Sequence, residues 1–210
     1  MKIIESDVLI IGSGGAALRA AIEAKETSPE GRVTILTKGE MGKCGVTAIS
    51  CSDRMAFHTT LPYTEPGGPD NWKHHARDIY QIGGFVSDAD LAAILARESG
   101  AAFEYLDRLG VPFARTHDGK ADQFITDGSE YPRACYTGPR TANHIEEALV
   151  RRVSCLDIRV VEHCMACDLL AEEGGVIGAI GVDTREGSEP LPGRVKIFLS
   201  SAVILAAGGA

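Results

Sequence analysis

The sequence predicts an α/β domain in which a parallel sheet with helices is joined to an antiparallel meander of three strands. Three observations predict it. A short apolar run rich in branched residues, Asp7-Val8-Leu9-Ile10-Ile11, leads into a glycine-rich turn and an alanine-rich stretch. A second apolar run, Val33-Thr34-Ile35-Leu36, follows the breaker Pro29-Glu30-Gly31. The last third of the chain gives up this alternation for closely spaced strand-like runs separated by turn residues.

The first run has the continuous apolar character of a strand buried on both faces. From Gly15 to about Lys25, Ala16-Ala17-Leu18-Arg19-Ala20-Ala21-Ile22-Glu23-Ala24 consists largely of strong helix formers, so the two runs and this helix make one βαβ unit. Thr37 to about Tyr80 is rich in proline and glycine with little periodicity and reads as a long irregular excursion, part of an insertion over 37–135. Ser87-Asp88-Ala89-Asp90 opens a helix with Leu91, Ile94, Leu95, Ala102, Leu106 and Leu109 on its apolar face, stopped by Gly110 and Pro112. A further helix runs from Thr141 to Arg152 with Ile145, Ala148 and Leu149 as its apolar face, and both helices are expected to pack on the sheet. Strands follow at Ile158–Val161, Met165–Leu170, Val176–Val182, Val195–Leu199 and Val203–Leu205. Glu172-Glu173-Gly174-Gly175 and Glu186-Gly187-Ser188-Glu189-Pro190 connect three of them as hairpins, which disfavours a nicotinamide domain built from repeated βαβ units.

The chain of 210 residues, 44% hydrophobic and 24% charged, supports one large domain over 1–210. A net charge of -8 provides no basic field for nucleic acid. No apolar run reaches the roughly 20 residues of a membrane helix, and the acidic start gives no signal-peptide core, so a cytoplasmic protein without direct membrane insertion is expected. Its six cysteines are then expected as free thiols. Cys164 and Cys167 have redox spacing, but i to i+3 on a strand points them to opposite faces. His74-His75 lacks supporting ligands, so no metal site is assigned. His144 and His163 have no G-x-S-x-G nucleophile nearby to support a hydrolase.

Gly12-Ser13-Gly14-Gly15-Ala16-Ala17 matches G-x-G-x-x-G/A between the first strand and its helix, where a dinucleotide pyrophosphate would sit. Gly12 permits the tight turn, Gly14 close approach of backbone, and Ala17 close helix packing, while N–H groups at the helix start face the phosphate charge. The second strand ends in Thr37-Lys38, without the acid that bonds ribose hydroxyls in NAD domains. That position argues against NAD.

The ordered series Val8 to Ala21, Leu36-Thr37-Lys38-Gly39 and Gly45-Val46-Thr47-Ala48 resembles the flavoprotein subunits of succinate dehydrogenase and fumarate reductase. It also resembles L-aspartate oxidase and adenylylsulfate reductase. Gly84-Phe85-Val86-Ser87-Asp88, Leu109-Gly110-Val111-Pro112-Phe113, Arg133-Ala134-Cys135-Tyr136-Thr137-Gly138 with Arg140-Thr141, and the closing Val203 to Ala210 extend the likeness over essentially the whole chain. The resemblance implies a Rossmann-like FAD-binding domain of the glutathione-reductase type. It implies noncovalent FAD, with Gly12, Ser13, Gly14, Gly15 and Ala16 at the pyrophosphate, Thr37 and Lys38 on the adenosine side, and Cys44, Gly45 and Thr47 at the flavin. Ala166 would offer backbone to the adenine, and Ala207 and Gly208 would line the ribose side.

The family further implies a dicarboxylate substrate, a partner that is an iron–sulfur or other electron-transfer subunit, and peripheral attachment to a membrane through partner subunits. A noncatalytic flavin-binding or electron-relay module is the alternative. Ser50-Cys51-Ser52-Asp53 stands where many relatives place alanine-x-glycine-glycine beside the isoalloxazine ring, and Pro139 and Ala142 replace an acid and a glycine. In covalent relatives a histidine near the Cys44 to Thr47 segment carries the flavin, whereas the first histidine here is His58. The family's capping domain and second half of the FAD site are expected to be absent from this N-terminal portion, so no catalytic residue is assigned.

Overall fold

A computed structural model describes residues 2–64, 66, 68, 71–185 and 190–209. In chain order its elements begin β1 (Lys2–Ile11), α1 (Gly15–Thr27), β2 (Val33–Leu36), α2 (Val46–Ile49), β3 (Phe57–His58), α3 (Trp72–Ile82) and α4 (Ala89–Arg108). They continue β4 (Gln123–Phe124), β5 (Ala134–Cys135), α5 (Thr141–Ser154), β6 (Ile158–Val161), β7 (Cys164–Glu172), β8 (Gly175–Asp183), α6 (Leu191–Arg194) and β9 (Val195–Leu205). Two compact units result, Met1–Ile49 with Glu146–Ala210, and Ser50–Ile145; the division falls inside α5.

The first unit is built on a six-stranded sheet of order β6-β2-β1-β9-β8-β7. Strands β6, β2, β1 and β9 run parallel, and β9, β8 and β7 form the antiparallel meander in the same sheet. The α/β class and the meander are thus as the sequence indicates. The two strands expected at Val195–Leu199 and Val203–Leu205 are one continuous strand. Ser200 lies within it, paired with Ser6, and its hydroxyl is 2.7 Å from the carbonyl oxygen of Ala202 and 3.1 Å from that of Asp7. Lys2 to Glu5 pair with Lys196 to Leu199, which extends β1 back from its expected start at Asp7. Ile4, Leu9, Ile11, Leu36, Cys164, Ala179 and Phe198 form a buried cluster; full burial of a side chain such as Phe198 stabilises by roughly 1.5–3 kcal/mol. The hairpin at Glu172 to Gly175 joins β7 to β8. The second expected connection, at Glu186 to Glu189, lies outside the described residues.

The second unit holds the α3 and α4 pair and a small sheet of order β3-β5-β4. Helix α3 occupies the end of the stretch expected to be irregular. Its buried side chains include His75 and Asp78, so it gives no apolar periodicity to read. Asp88 caps α4 by accepting from the Leu91 N–H at 2.9 Å, as its sequence suggests. The face is different, however: α4 buries Ala92, Ala96, Ser99, Phe103 and Leu106, while Leu91, Ile94, Leu95 and Ala102 are exposed. Within the second unit α4 packs on α3, and its small residues allow that close approach. In α5, Ala148 and Leu149 are buried, but the place expected for Ile145 belongs to Glu146. All six cysteines are free thiols, with Cys164 buried and Cys167 exposed at a register shift of β7.

Candidate functional site

The parallel strands place their C-terminal ends side by side in the first unit. Gly12 follows β1 with φ +120°, and a Cβ there would lie 2.1 Å from the carbonyl oxygen of Ala206 and 3.2 Å from the nitrogen of Ala207. Only glycine lets the segment after β9 approach this closely. The crossing is held by the Ala206 N–H donating to Ile11 O at 2.8 Å and the Gly12 N–H donating to Leu36 O at 2.8 Å. Gly208 also takes a left-handed conformation, φ +87°.

Gly14 is the N-cap of α1 without a side-chain cap, so the N–H groups of the first turn point from the helix with a positive field. The Gly15 N–H donates to Thr47 Oγ1 at 3.3 Å, which ties the helix start to α2. Ser13 Oγ and Thr37 Oγ1 are 2.9 Å apart in a buried pair. Cys44 Sγ lies 3.5 Å from Ser13 Oγ and 3.7 Å from Thr37 Oγ1, closing a small polar brace. Thr37 is fixed further by its N–H donating to Val161 O and its carbonyl accepting from the Cys164 N–H.

Gly12, Ser13, Gly14, Gly15, Thr37, Cys44, Thr47 and Ala207 are therefore brought together. Ala16 lies on the first turn of α1, and Gly45, at φ +91°, would place a Cβ 3.7 Å from the Gly14 Cα. Lys38 is exposed beside Thr37. Ala166 stands on β7 opposite Gly181, next to a register shift, and packs against the buried cluster. The hydroxyl of Thr37 turns inward to Ser13 and so serves the shape of the loop.

Two features were not read from the sequence. Glu146 is 1% exposed, and neither carboxyl oxygen has a hydrogen-bond partner among the described residues. Burial alone pushes its pKa up to about 7. In the second unit, Arg133 is fully buried and pairs with Asp78 at 2.6 Å, and Asp78 also accepts from the Glu130 N–H at 2.8 Å. His75 Nδ1 is 3.0 Å from Thr60 Oγ1, and burial with the Arg133 charge brings its pKa down to about 4. The i to i+3 spacing of His75 and Asp78 was the available signal, visible only once α3 is recognised as a helix.

A glycine loop between strand and helix, on a parallel sheet that ends in a meander, defines a dinucleotide-cofactor domain of the flavoprotein class. The chain belongs to the family described as FAD binding domain, matched over residues 7–210, and its cofactor is FAD. It is 36% identical over 211 residues to a subunit of the fumarate reductase (CoM/CoB) of Methanothermobacter marburgensis, covering all of this chain and 36% of that protein. It is 28% identical to the 8-methylmenaquinol:fumarate reductase flavoprotein subunit of Wolinella succinogenes, covering 97% of this chain and 31% of that one. The Sdh1 complex of Mycobacterium smegmatis superposes with a TM-score of 0.86 at 29% identity, over 100% of this chain and 35% of that chain. The chain spans about a third of the length of these curated relatives. Among the described residues, no helix is long and apolar enough to cross a membrane.

Proposed function

We propose that the loop of the first unit holds FAD noncovalently, with Gly12 to Ala16 at the pyrophosphate, Thr37 and Lys38 on the adenosine side, and Cys44, Gly45 and Thr47 toward the flavin. Ala166 offers its backbone to the adenine, and Ala207 and Gly208 line the ribose side. The observation that carries this reading is the crossing at Gly12, where a Cβ would meet Ala206 O at 2.1 Å. It sets the segment after β9 against the loop that leads into α1, whose first turn has no side-chain cap and so directs a positive field at an anionic pyrophosphate. The Ser13, Thr37 and Cys44 brace keeps that loop in place, and bound FAD supplies the hydride and electron chemistry.

For a protein of the relatives' full length, the reaction is oxidation or reduction of a small dicarboxylate, with electrons exchanged through an iron–sulfur or other electron-transfer subunit. Such a protein works in the cytoplasm, peripheral to a membrane where its partners are anchored. By itself the 210-residue chain is expected to bind FAD without reducing fumarate. Acid precipitation of the FAD-loaded chain tests the mode of attachment: the flavin is expected in the supernatant. Fluorescence remaining on the denatured chain would contradict noncovalent binding, and fumarate reduction by the loaded chain would contradict the division of labour.

A further inference from the structure

The first unit contains a cleft of about 980 Å³ whose lining includes Lys2, Ile3, Ile4 and Glu5, at the end of β1 opposite the glycine loop. Successive side chains of a strand point to opposite faces, so a cleft lined by four in a row meets the strand along its edge. That edge is open. Strand β1 pairs with β9 from Lys2 onward, but with β2 only from Val8 to Ile11. The turn before β2 reaches β1 at Asp7 and Val8, whose N–H groups donate to Arg32 O at 2.8 and 3.2 Å. Among the described residues no strand lies beside Lys2 to Ser6 on that side.

The chain carries a net charge of -8, yet the cleft gathers Lys2, Arg32, Arg159, Arg185 and Lys196 against Glu5 and Glu162. Asp7 holds Arg32, and Asp183 holds Arg185 and Lys196. Lys2 and Arg159 have no carboxylate partner among the described residues. Lys2 stands directly opposite Lys196 in the β1 and β9 ladder, and like charges so placed repel until an anion arrives. On the other face of β1, Ile3 is 56% exposed, and Glu5 follows it there.

We propose that the open edge of β1 takes an extended acidic segment of a partner protein as an added strand. Main-chain hydrogen bonds hold such a segment, and the alternation of its side chains sets its sequence. Acidic side chains fall on the face of Lys2 and Lys196, and apolar ones on the face of Ile3, where Glu5 repels an acid. A second copy of this chain would bring two cationic clefts together, so pairing of like edges is opposed. A compact anion such as phosphate meets the cations but leaves the strand edge without a partner.

The test is fluorescence anisotropy of a labelled peptide of alternating glutamate and valine, titrated with the 210-residue chain. Saturable binding is expected, at least tenfold tighter than that of a lysine and valine peptide of the same pattern. Methylation of every backbone nitrogen of the peptide should weaken binding at least tenfold, because it removes the ladder donors. The double variant Lys2→Glu with Arg159→Glu should also weaken it at least tenfold, and Arg77→Glu, an exposed change in the second unit, less than twofold. A folded chain without saturable binding, or a folded double variant that binds as well as wild type, overturns the site. Equal binding of the methylated peptide overturns strand addition. Sodium phosphate that displaces the peptide as effectively as unlabelled peptide does overturns the peptide assignment. A chain that sediments as a dimer until the peptide splits it overturns the partner, since the edge then belongs to a second copy.

Discussion

The two units bury charge in different ways. In the first, apolar strands surround Leu9, Leu36 and Phe198, Asp183 is buried against Lys196 and Arg185, and Glu146 lies inside with neither carboxyl oxygen partnered among the described residues. In the second, a buried ion pair, Arg133 with Asp78, and a buried imidazole, His75, stand where helix packing would ordinarily be apolar. The difference teaches that burial in this chain is not a guide to apolarity. A charge is tolerated inside when it is paired and hydrogen-bonded, and a lone acid is tolerated by keeping its proton.

The largest expected effect breaks the second unit's pairing. Arg133→Met should destabilise by about 3–5 kcal/mol in urea unfolding, because it leaves Asp78 buried without its counter-charge. Adding Asp78→Asn should recover part of that loss. A single variant as stable as wild type would show that the pair is not what holds this unit.

The two units should also respond to pH in mirror image. Glu146 has a folded pKa of about 7 against an ordinary value of 4.5, so its contribution to stability is fully present below about 4.5 and is lost as pH rises through about 7. His75 has a folded pKa of about 4 against 6.5, so its contribution is present above about 6.5 and is lost as pH falls through about 4. Each is worth on the order of 3 kcal/mol at its extreme. Glu146→Gln is therefore expected to raise the melting temperature at pH 8 while leaving it nearly unchanged at pH 4. His75→Gln should flatten the acid limb of the same curve. Equal gains for Glu146→Gln at both pH values would remove the protonation account.

A smaller effect sharpens the view of the loop. Ser13→Ala removes one buried hydrogen bond to Thr37, and should cost about 1 kcal/mol of stability with a several-fold loss in FAD affinity. Unchanged flavin affinity would mean that the brace does not position the loop.

The comparison also explains what the sequence could tell. In the first unit, Val8 to Ala17 and Val33 to Thr37 carry their own instructions: branched apolar runs, a glycine at the turn, helix formers after it. The brace was hidden, since Ser13, Thr37 and Cys44 meet only after β1 and β2 pair. Glu146 was hidden because an acid on a helix reads as solvent-facing. In the second unit the cues misled. Leu91, Ile94 and Leu95 outweigh Ala92, Ala96 and Ser99 in hydrophobicity, yet the small residues are the ones that let α4 close on α3. Helix α3 buries His75 and Asp78, and the partner that makes this tolerable, Arg133, is 55 residues beyond Asp78.

The central claim is that FAD sits on the first unit's glycine loop, and a titration of the flavin-free chain against FAD and NAD, compared with Gly12→Val, tests it most directly. One FAD is expected to bind per wild-type chain, with NAD at least a hundredfold weaker, and Gly12→Val should lose at least a hundredfold in FAD affinity because its side chain displaces the Ala206 crossing. Tight binding of NAD without retention of FAD, or FAD binding undiminished in Gly12→Val, would contradict it.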